Sequence, residues 1–184
     1  ILRPYQKDGV RWLLYLYHNN FGGCLADDMG LGKTIQAIAF VECRYLQEKQ
    51  PLRVLVVVPK TLIENWKAEF NRFGKGISVF IYHGANRESS LEGFERTGGV
   101  LLTTYNTLLN DIEILIALSF HCMFIDEAQY IKNYRAKTYG AAKKIKARSK
   151  FILSGTPFEN NISELWALMD LINPGCLGNR TAFI

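Results

Sequence analysis

The 184-residue chain contains no apolar run approaching the ~20 residues that a membrane-spanning helix requires, which excludes a helical membrane segment. Its start, Ile1-Leu2-Arg3-Pro4, has neither a signal-peptide apolar region nor an initiator Met. We therefore expect an intracellular domain cut from a longer polypeptide. The four cysteines, Cys24, Cys43, Cys122 and Cys176, form no Cys-x-x-Cys pair, and His18, His83 and His121 are scattered. That spacing argues against a zinc site and a disulfide framework and leaves buried free thiols in a reducing compartment. Internal repeats, low-complexity segments and linker-like stretches are also missing, so residues 1–184 are read as one globular domain. With 48% hydrophobic residues it can bury a substantial core.

Acidic residues are missing from one stretch in particular. Eight of the 22 Lys and Arg (Lys132, Arg135, Lys137, Lys143, Lys144, Lys146, Arg148 and Lys150) follow one another with no Asp or Glu between them; without them 14 cations face 17 anions. The net charge of +5 is thus local in origin. Two explanations stay open, a polyanionic partner that releases condensed counterions or a solvated helix face.

What the chain does contain begins with Leu25-Ala26-Asp27-Asp28-Met29-Gly30-Leu31-Gly32-Lys33-Thr34, an apolar strand ending in a glycine loop that delivers Lys-Thr to a helix start. Glycines let backbone N–H groups point inward at a phosphate, Lys33 can reach β and γ oxygens, and the Thr34 hydroxyl can ligate magnesium. Where the usual loop opens on Gly, this one opens on Asp27.

Apolar periodicity predicts helices over Tyr5 to His18, Lys33 to Gln47 and Leu62 to Phe73. Strands are expected at Gly23 to Ala26, Val54 to Val58, Ser78 to Tyr82, Val100 to Thr103, Cys122 to Ile125 and Phe151 to Leu153. Charged segments such as Ala85 to Glu95 and Asn133 to Lys137 read as surface excursions. Trp66, in helical register with Leu62, Ile63 and Phe70, is assigned to the core, with stacking on nucleic acid as the alternative. Continuously apolar strands alternating with helices indicate an α/β fold with a mainly parallel sheet and helices on both faces.

In such sheets ligands bind beyond the carboxyl ends of the strands. Five polar groups follow apolar runs directly: the glycine loop, Pro59-Lys60-Thr61, Thr103-Thr104-Tyr105, Asp126-Glu127-Ala128-Gln129 and Ser154-Gly155-Thr156-Pro157. All five should line one rim. Adjacent carboxylates at the end of a buried strand are costly without a cation or substrate. With the phosphate loop upstream, Asp126 would hold magnesium and Glu127 would orient and deprotonate the attacking water. The alternative for Asp126 is a helix cap. A paired acid favours hydrolysis over phosphoryl transfer to a metabolite.

Together the residues resemble a family. Leu2-Arg3-Pro4-Tyr5-Gln6, the glycine loop, Val58-Pro59-Lys60-Thr61-Leu62 with Asn65-Trp66, Thr103-Thr104-Tyr105, Asp126-Glu127-Ala128-Gln129 with Ile131-Lys132-Asn133, and Ser154-Gly155-Thr156-Pro157 with Glu159-Asn160 stand in the order and spacing of the first RecA-like lobe of Swi/Snf-type ATPases, in helicase superfamily two. The likeness runs from the first residues to Leu171-Ile172-Asn173-Pro174-Gly175, and this family carries an acidic residue where Asp27 stands. Gln129, in a DEAQ box, resembles prokaryotic members.

The resemblance implies a three-layer P-loop NTPase fold, ATP and Mg2+ as cofactors, and an ATP site formed by Gln6, Asp28, Met29, Gly30, Leu31, Gly32, Lys33 and Thr34. Gln6 would read adenine; the alternative is an ordinary exposed helix-start residue. Thr34 and Asp126 would take the metal, and Lys33, Asp126 and Glu127 the chemistry. Gln129, Ser154, Gly155 and Thr156 would couple nucleotide state to lobe movement, although Gly-Thr-Pro also makes a plain strand-ending turn. Lys60, Thr61, Thr103 and Thr104 would hold the backbone of double-stranded DNA. Implied partners are duplex DNA, the second RecA-like lobe, which has no counterpart in this chain, and a DNA-bound protein cargo. The compartment would be cytoplasmic and nucleoid-associated in a prokaryote, nuclear in a eukaryote. Competing expectations are an RNA-directed helicase, a nucleotide-gated interaction switch and, more distantly, a small-molecule kinase.

Overall fold

The computed structural model describes residues 2–156 and 162–184. In chain order the elements are α1 (Pro4–His18), β1 (Gly23–Leu25), α2 (Lys33–Gln47), β2 (Arg53–Val58), α3 (Ile63–Phe73), β3 (Val79–Tyr82), α4 (Arg87–Thr97), β4 (Gly99–Thr104), α5 (Tyr105–Asn110), α6 (Ile112–Leu115), β5 (Ser119–Asp126), α7 (Lys137–Lys144), β6 (Lys146–Leu153), α8 (Ile162–Ile172) and α9 (Arg180–Phe183). The six strands form one sheet in the order β1-β6-β5-β2-β4-β3, and every pairing is parallel. This is the three-layer RecA-like arrangement expected from the continuously apolar strands.

The strands are apolar throughout because successive side chains enter two separate cores. Val54, Val56 and Val58 of β2 join Phe124 and Phe151 beneath α1, α2 and α3, whereas Leu55 and Val57 join Met123, Ile125 and Ile152 beneath α5, α7 and α8. In the first core Phe40 of α2 meets Phe124 and Phe151 edge-on, with ring centroids 5.6 and 5.3 Å away. Burying one such side chain stabilises the fold by about 1.5–3 kcal/mol. Among the described residues no helix is long and apolar enough to cross a membrane.

Three expectations need correction. Ala85 to Glu95 is not a loop: most of it lies in α4, which buries Phe94 and lays Gly93 against the Phe80 ring, where a Cβ would stand 2.5 Å from the nearest ring carbon. Only two apolar anchors, Leu91 and Phe94, mark that helix, too few to outweigh its charges in a periodicity count. The basic stretch is not one solvated face. Lys143 pairs with Asp170 at 2.5 Å, and Lys150 is buried with its Nζ donating to the carbonyls of Ala142 and Lys143 at 2.9 and 3.0 Å, where it caps α7. Burial lowers the Lys150 pKa to about 8. Finally, the four cysteines are free, but only Cys122 is fully buried, and Cys176 is exposed.

Candidate active site

Parallel strands place all their carboxyl ends on one rim. The glycine loop leaves β1 there and enters α2. Gly30 (φ +83°) and Gly32 (φ +79°) both take left-handed backbone, and a Cβ at Gly32 would lie 2.6 Å from Nε2 of Gln6. These glycines are needed for conformation at both positions and for close approach at the second. Lys33 opens α2 and turns back, its Nζ donating to the carbonyls of Asp27 (2.6 Å) and Asp28 (3.0 Å). Its ammonium therefore rests in the curl of the loop, with Thr34 half-buried beside it.

Asp27 is tied down rather than free. Its carboxylate accepts from Nε2 of Gln36, one turn into α2, at 2.9 Å. Gly9 of α1 lets this amide come close, since a Cβ there would sit 1.8 Å from Gln36 Oε1. Gln6 sits against the loop but uses its amide internally: Nε2 donates to the Leu31 carbonyl (3.2 Å) and Oε1 caps α1 by accepting from the Arg3 N–H (2.9 Å). Tyr5 donates to the same Leu31 carbonyl at 3.1 Å. Asp28 and Met29 are exposed at the loop tip.

Four strands later in sequence, and separated from β1 in the sheet only by β6, β5 ends on Asp126. This carboxylate is buried; Oδ2 accepts from the Trp66 indole N–H at 2.8 Å and Oδ1 from the Glu127 backbone N–H at 3.0 Å. Burial raises its pKa, and the Trp66 hydrogen bond opposes that shift. Glu127 is one of two described non-glycine residues with positive φ (+60°, ψ 72°), a conformation costing about 1–3 kcal/mol. Its carboxylate accepts from Gln129 Nε2 at 2.9 Å. The strain turns the chain sharply after β5.

Lys33, Thr34, Asp126, Glu127 and Gly155 line one cleft of about 370 Å3, with Met29, Gly30 and Gly32 from the loop. Asn65, Glu69, Arg72 and Phe73 of α3 complete its wall; of these only Asn65 stood in a motif, and none was assigned to the site from the sequence. Ser154 is buried beside the cleft, and its Oγ accepts from the Thr156 N–H at 3.2 Å; Pro157, Glu159 and Asn160 lie outside the described residues. A larger cavity of about 530 Å3 lies beside Lys146 to Arg148, around the start of β6, and shares none of these groups.

A second, smaller groove of about 280 Å3 lies along the rim between the β2 and β4 ends, lined by Pro59, Lys60, Thr61, His83, Thr104, Tyr105, Asn106 and Tyr130. Lys60 and Thr61 are exposed in it. The two threonines expected beside them differ. Thr103 is fully buried and donates to the Tyr82 carbonyl at 2.8 Å, so its hydroxyl does not face the groove. Thr104 forms part of the wall, but its hydroxyl caps α5 by accepting from the Thr107 N–H at 3.2 Å. The reason is topological: β4 is an inner strand, and β3 pairs along its far side as far as Thr103, leaving Thr104 beyond the pairing. Trp66 was rightly assigned to the core, yet its indole holds Asp126. The one available hint was general: a buried indole N–H needs an acceptor.

A single cleft that joins a lysine at a helix N-terminus to two adjacent carboxylates has the chemistry for a metal-bound polyphosphate. The model of the SNF2-related domain matches residues 5–184. The chain belongs to the SNF2-related family. An uncharacterized ATP-dependent helicase of Mycoplasma pneumoniae is 41% identical over 183 residues, 99% of this chain and 18% of that protein. Switch 2 of Arabidopsis thaliana is 39% identical over 193 residues, covering 99% of this chain and 22% of its own. Among solved structures, the Sulfolobus solfataricus SWI2/SNF2 ATPase core in complex with double-stranded DNA superposes with a TM-score of 0.89 at 36% identity, over all of this chain and 38% of that one. The SNF2-related domain described here thus spans about a fifth of the length of these curated relatives. It is a Swi/Snf-type, helicase-like ATPase domain with the RecA-like fold of the first lobe.

Proposed function

We propose that this domain is the ATP-binding first lobe of a DNA-stimulated motor that moves along double-stranded DNA and remodels protein-DNA complexes. The observation that carries the reading is the shared cleft of Lys33, Thr34, Asp126 and Glu127. Lys33 leaves the Asp27 and Asp28 carbonyls for the β and γ oxygens of ATP, while the loop N–H groups and the start of α2 hold the remaining phosphate charge. Thr34 and Asp126 suit Mg2+: both supply hard oxygen ligands in the cleft, and the buried Asp126 carboxylate, with only two neutral N–H donors, gains from a cation. Bound there, Mg2+ would neutralise charge developing on the phosphate oxygens. Glu127, held by Gln129, orients water against the γ-phosphate and takes its proton. The α3 wall faces the remainder of the nucleotide, and Gln6, whose amide is bonded to the Leu31 carbonyl and the Arg3 N–H, supports the loop and would have to exchange those bonds to read adenine.

The groove of Lys60, Thr61 and Thr104 takes the duplex backbone, with donors suited to phosphate and to no particular base. Support comes from the Sulfolobus relative, whose ATPase core was solved with double-stranded DNA. A second lobe of the parent polypeptide supplies the arginine that completes the site, a contribution of about 10³–10⁵ in rate. This lobe alone is therefore expected to turn over ATP very slowly.

The test is steady-state ATP hydrolysis by the parent polypeptide with no nucleic acid, single-stranded DNA, duplex DNA or duplex RNA, with Lys33→Ala as the dead control. Stimulation mainly by duplex DNA supports the motor. Stimulation mainly by RNA selects the RNA-directed helicase, and equal turnover in all four conditions selects the interaction switch.

A further inference from the structure

One connection between groove and cleft has no part in the chemistry above. Tyr105 follows Thr104 directly and lines the groove with Lys60 and Thr61. Its hydroxyl donates to the Asp126 carbonyl at 2.5 Å, with the Glu127 carbonyl 3.4 Å away. The ring is stacked on Tyr130, centroids 5.2 Å apart and planes 20° from parallel. Tyr130 is 53% exposed in the same groove. Its backbone N–H donates to the Glu127 carbonyl at 3.2 Å, closing the turn that carries Glu127 and Gln129.

A closed circuit results. Tyr105 and Tyr130 grip each other through their rings, and both reach the peptide groups that set the Glu127 backbone. That backbone is in its strained left-handed state (φ +60°), so a small displacement of the turn re-aims the carboxylate. Tyr130 is the exposed aromatic among the residues lining the groove, so it stands where a phosphate backbone seated beside Lys60 would meet the ring stack. Packed aromatic contacts transmit such displacement because close-packed groups do not deform continuously.

We propose that Tyr105 is a positioning residue that transmits occupancy of the Lys60 groove to the Glu127 carboxylate, with Tyr130 as the sensor that the duplex backbone touches. This rests on the reading of the groove as a duplex-backbone site. Tyr105→Phe keeps the ring stack and removes the hydroxyl; Tyr130→Leu removes the stack and leaves the backbone; Tyr130→Phe keeps it.

The experiment measures kcat and KM for ATP in the parent polypeptide with and without saturating duplex DNA, and duplex affinity by fluorescence anisotropy. In Tyr105→Phe and Tyr130→Leu the ratio of stimulated to unstimulated kcat is expected to fall about tenfold, with the KM for ATP held within about twofold. Tyr130→Phe restores the ratio. An unchanged ratio in Tyr105→Phe overturns the proposal, as does an equal loss of both rates, which is what a merely structural tyrosine would give. Should Tyr105→Phe not fold, Tyr130→Leu at the exposed position decides alone. A wild-type protein indifferent to duplex overturns the groove reading itself and is recognised without any variant.

Discussion

The cleft and the groove lie on the same rim, yet they are built in different ways. The cleft depends on short local motifs: a glycine loop whose backbone must curl and a pair of carboxylates at one strand end. Its lining includes Lys33, Thr34, Asp126 and Glu127. The groove draws on four separate segments, from Pro59 to Tyr130, and one of the four residues expected to face it, Thr103, is buried with its hydroxyl bonded to the strand alongside. Motif spacing reports well on groups that a single turn of chain positions, as the glycine loop does Lys33 and Thr34 and the end of β5 does Asp126 and Glu127. It reports poorly on groups whose exposure depends on which strand lies alongside.

The comparison is sharpened most strongly at Glu127. Glu127→Gln keeps the size of the side chain and removes its basicity, so ATP turnover is expected to fall about 10²–10⁴-fold with duplex affinity retained, measured by phosphate release and anisotropy. Next is Trp66→Phe, which leaves Asp126 Oδ2 without its indole donor in a buried setting. About tenfold in turnover should be lost, with a higher Mg2+ requirement, and the variant should melt earlier, since a buried acceptor that loses its donor costs about 1–3 kcal/mol, Oδ1 keeping the Glu127 N–H. Unchanged magnesium dependence would assign Trp66 to packing alone.

On the groove side the effects are smaller and separate two residues that the sequence treats alike. Lys60→Ala should weaken duplex binding similarly across sequences and reduce the slope of log affinity against log salt by about 1. Thr103→Val should leave binding unchanged and cost about 1 kcal/mol of stability in thermal melts. Equal losses of affinity from both would break the distinction drawn between the exposed and buried halves of this motif.

The smallest effect on the two sites themselves comes from Lys150, which lies outside both and acts on stability alone. Its folded pKa, lowered to about 8, lies below the unfolded value of 10.5, so the unfolded chain binds more protons between them. Stability contributed by this group is therefore lowest below about pH 8 and rises as pH approaches 10.5. Lys150→Met should flatten that rise in denaturant melts collected across the window.

Periodicity found all six strands because both faces of each inner strand are covered, which leaves them continuously apolar. It missed α4, where charged residues outnumber the two anchors that Phe80 and its neighbours bury. Trp66 was legible as core but not as the donor to Asp126, because α3 and the end of β5 are 60 residues apart along the chain and meet only in the folded layers. Tyr105 was legible as a member of the Thr103-Thr104-Tyr105 motif but not as a partner of the Glu127 turn, and Tyr130 only as the residue after Gln129.

The sequence by itself determined the phosphate loop, the acidic pair, the parallel α/β class and the family, because each depends on local backbone demands or on the covering of both strand faces. Only the tertiary structure decided which polar groups face outward and which are already engaged. It buried Thr103 with its hydroxyl bonded to β3, turned Gln6 onto the loop carbonyl, neutralised Lys143 with Asp170, and joined the two tyrosines to the Glu127 turn. The physical reason is that a hydrogen-bonding side chain is free for a ligand only if no neighbour in the fold satisfies it first, and neighbours are set by strand order rather than by position in the chain.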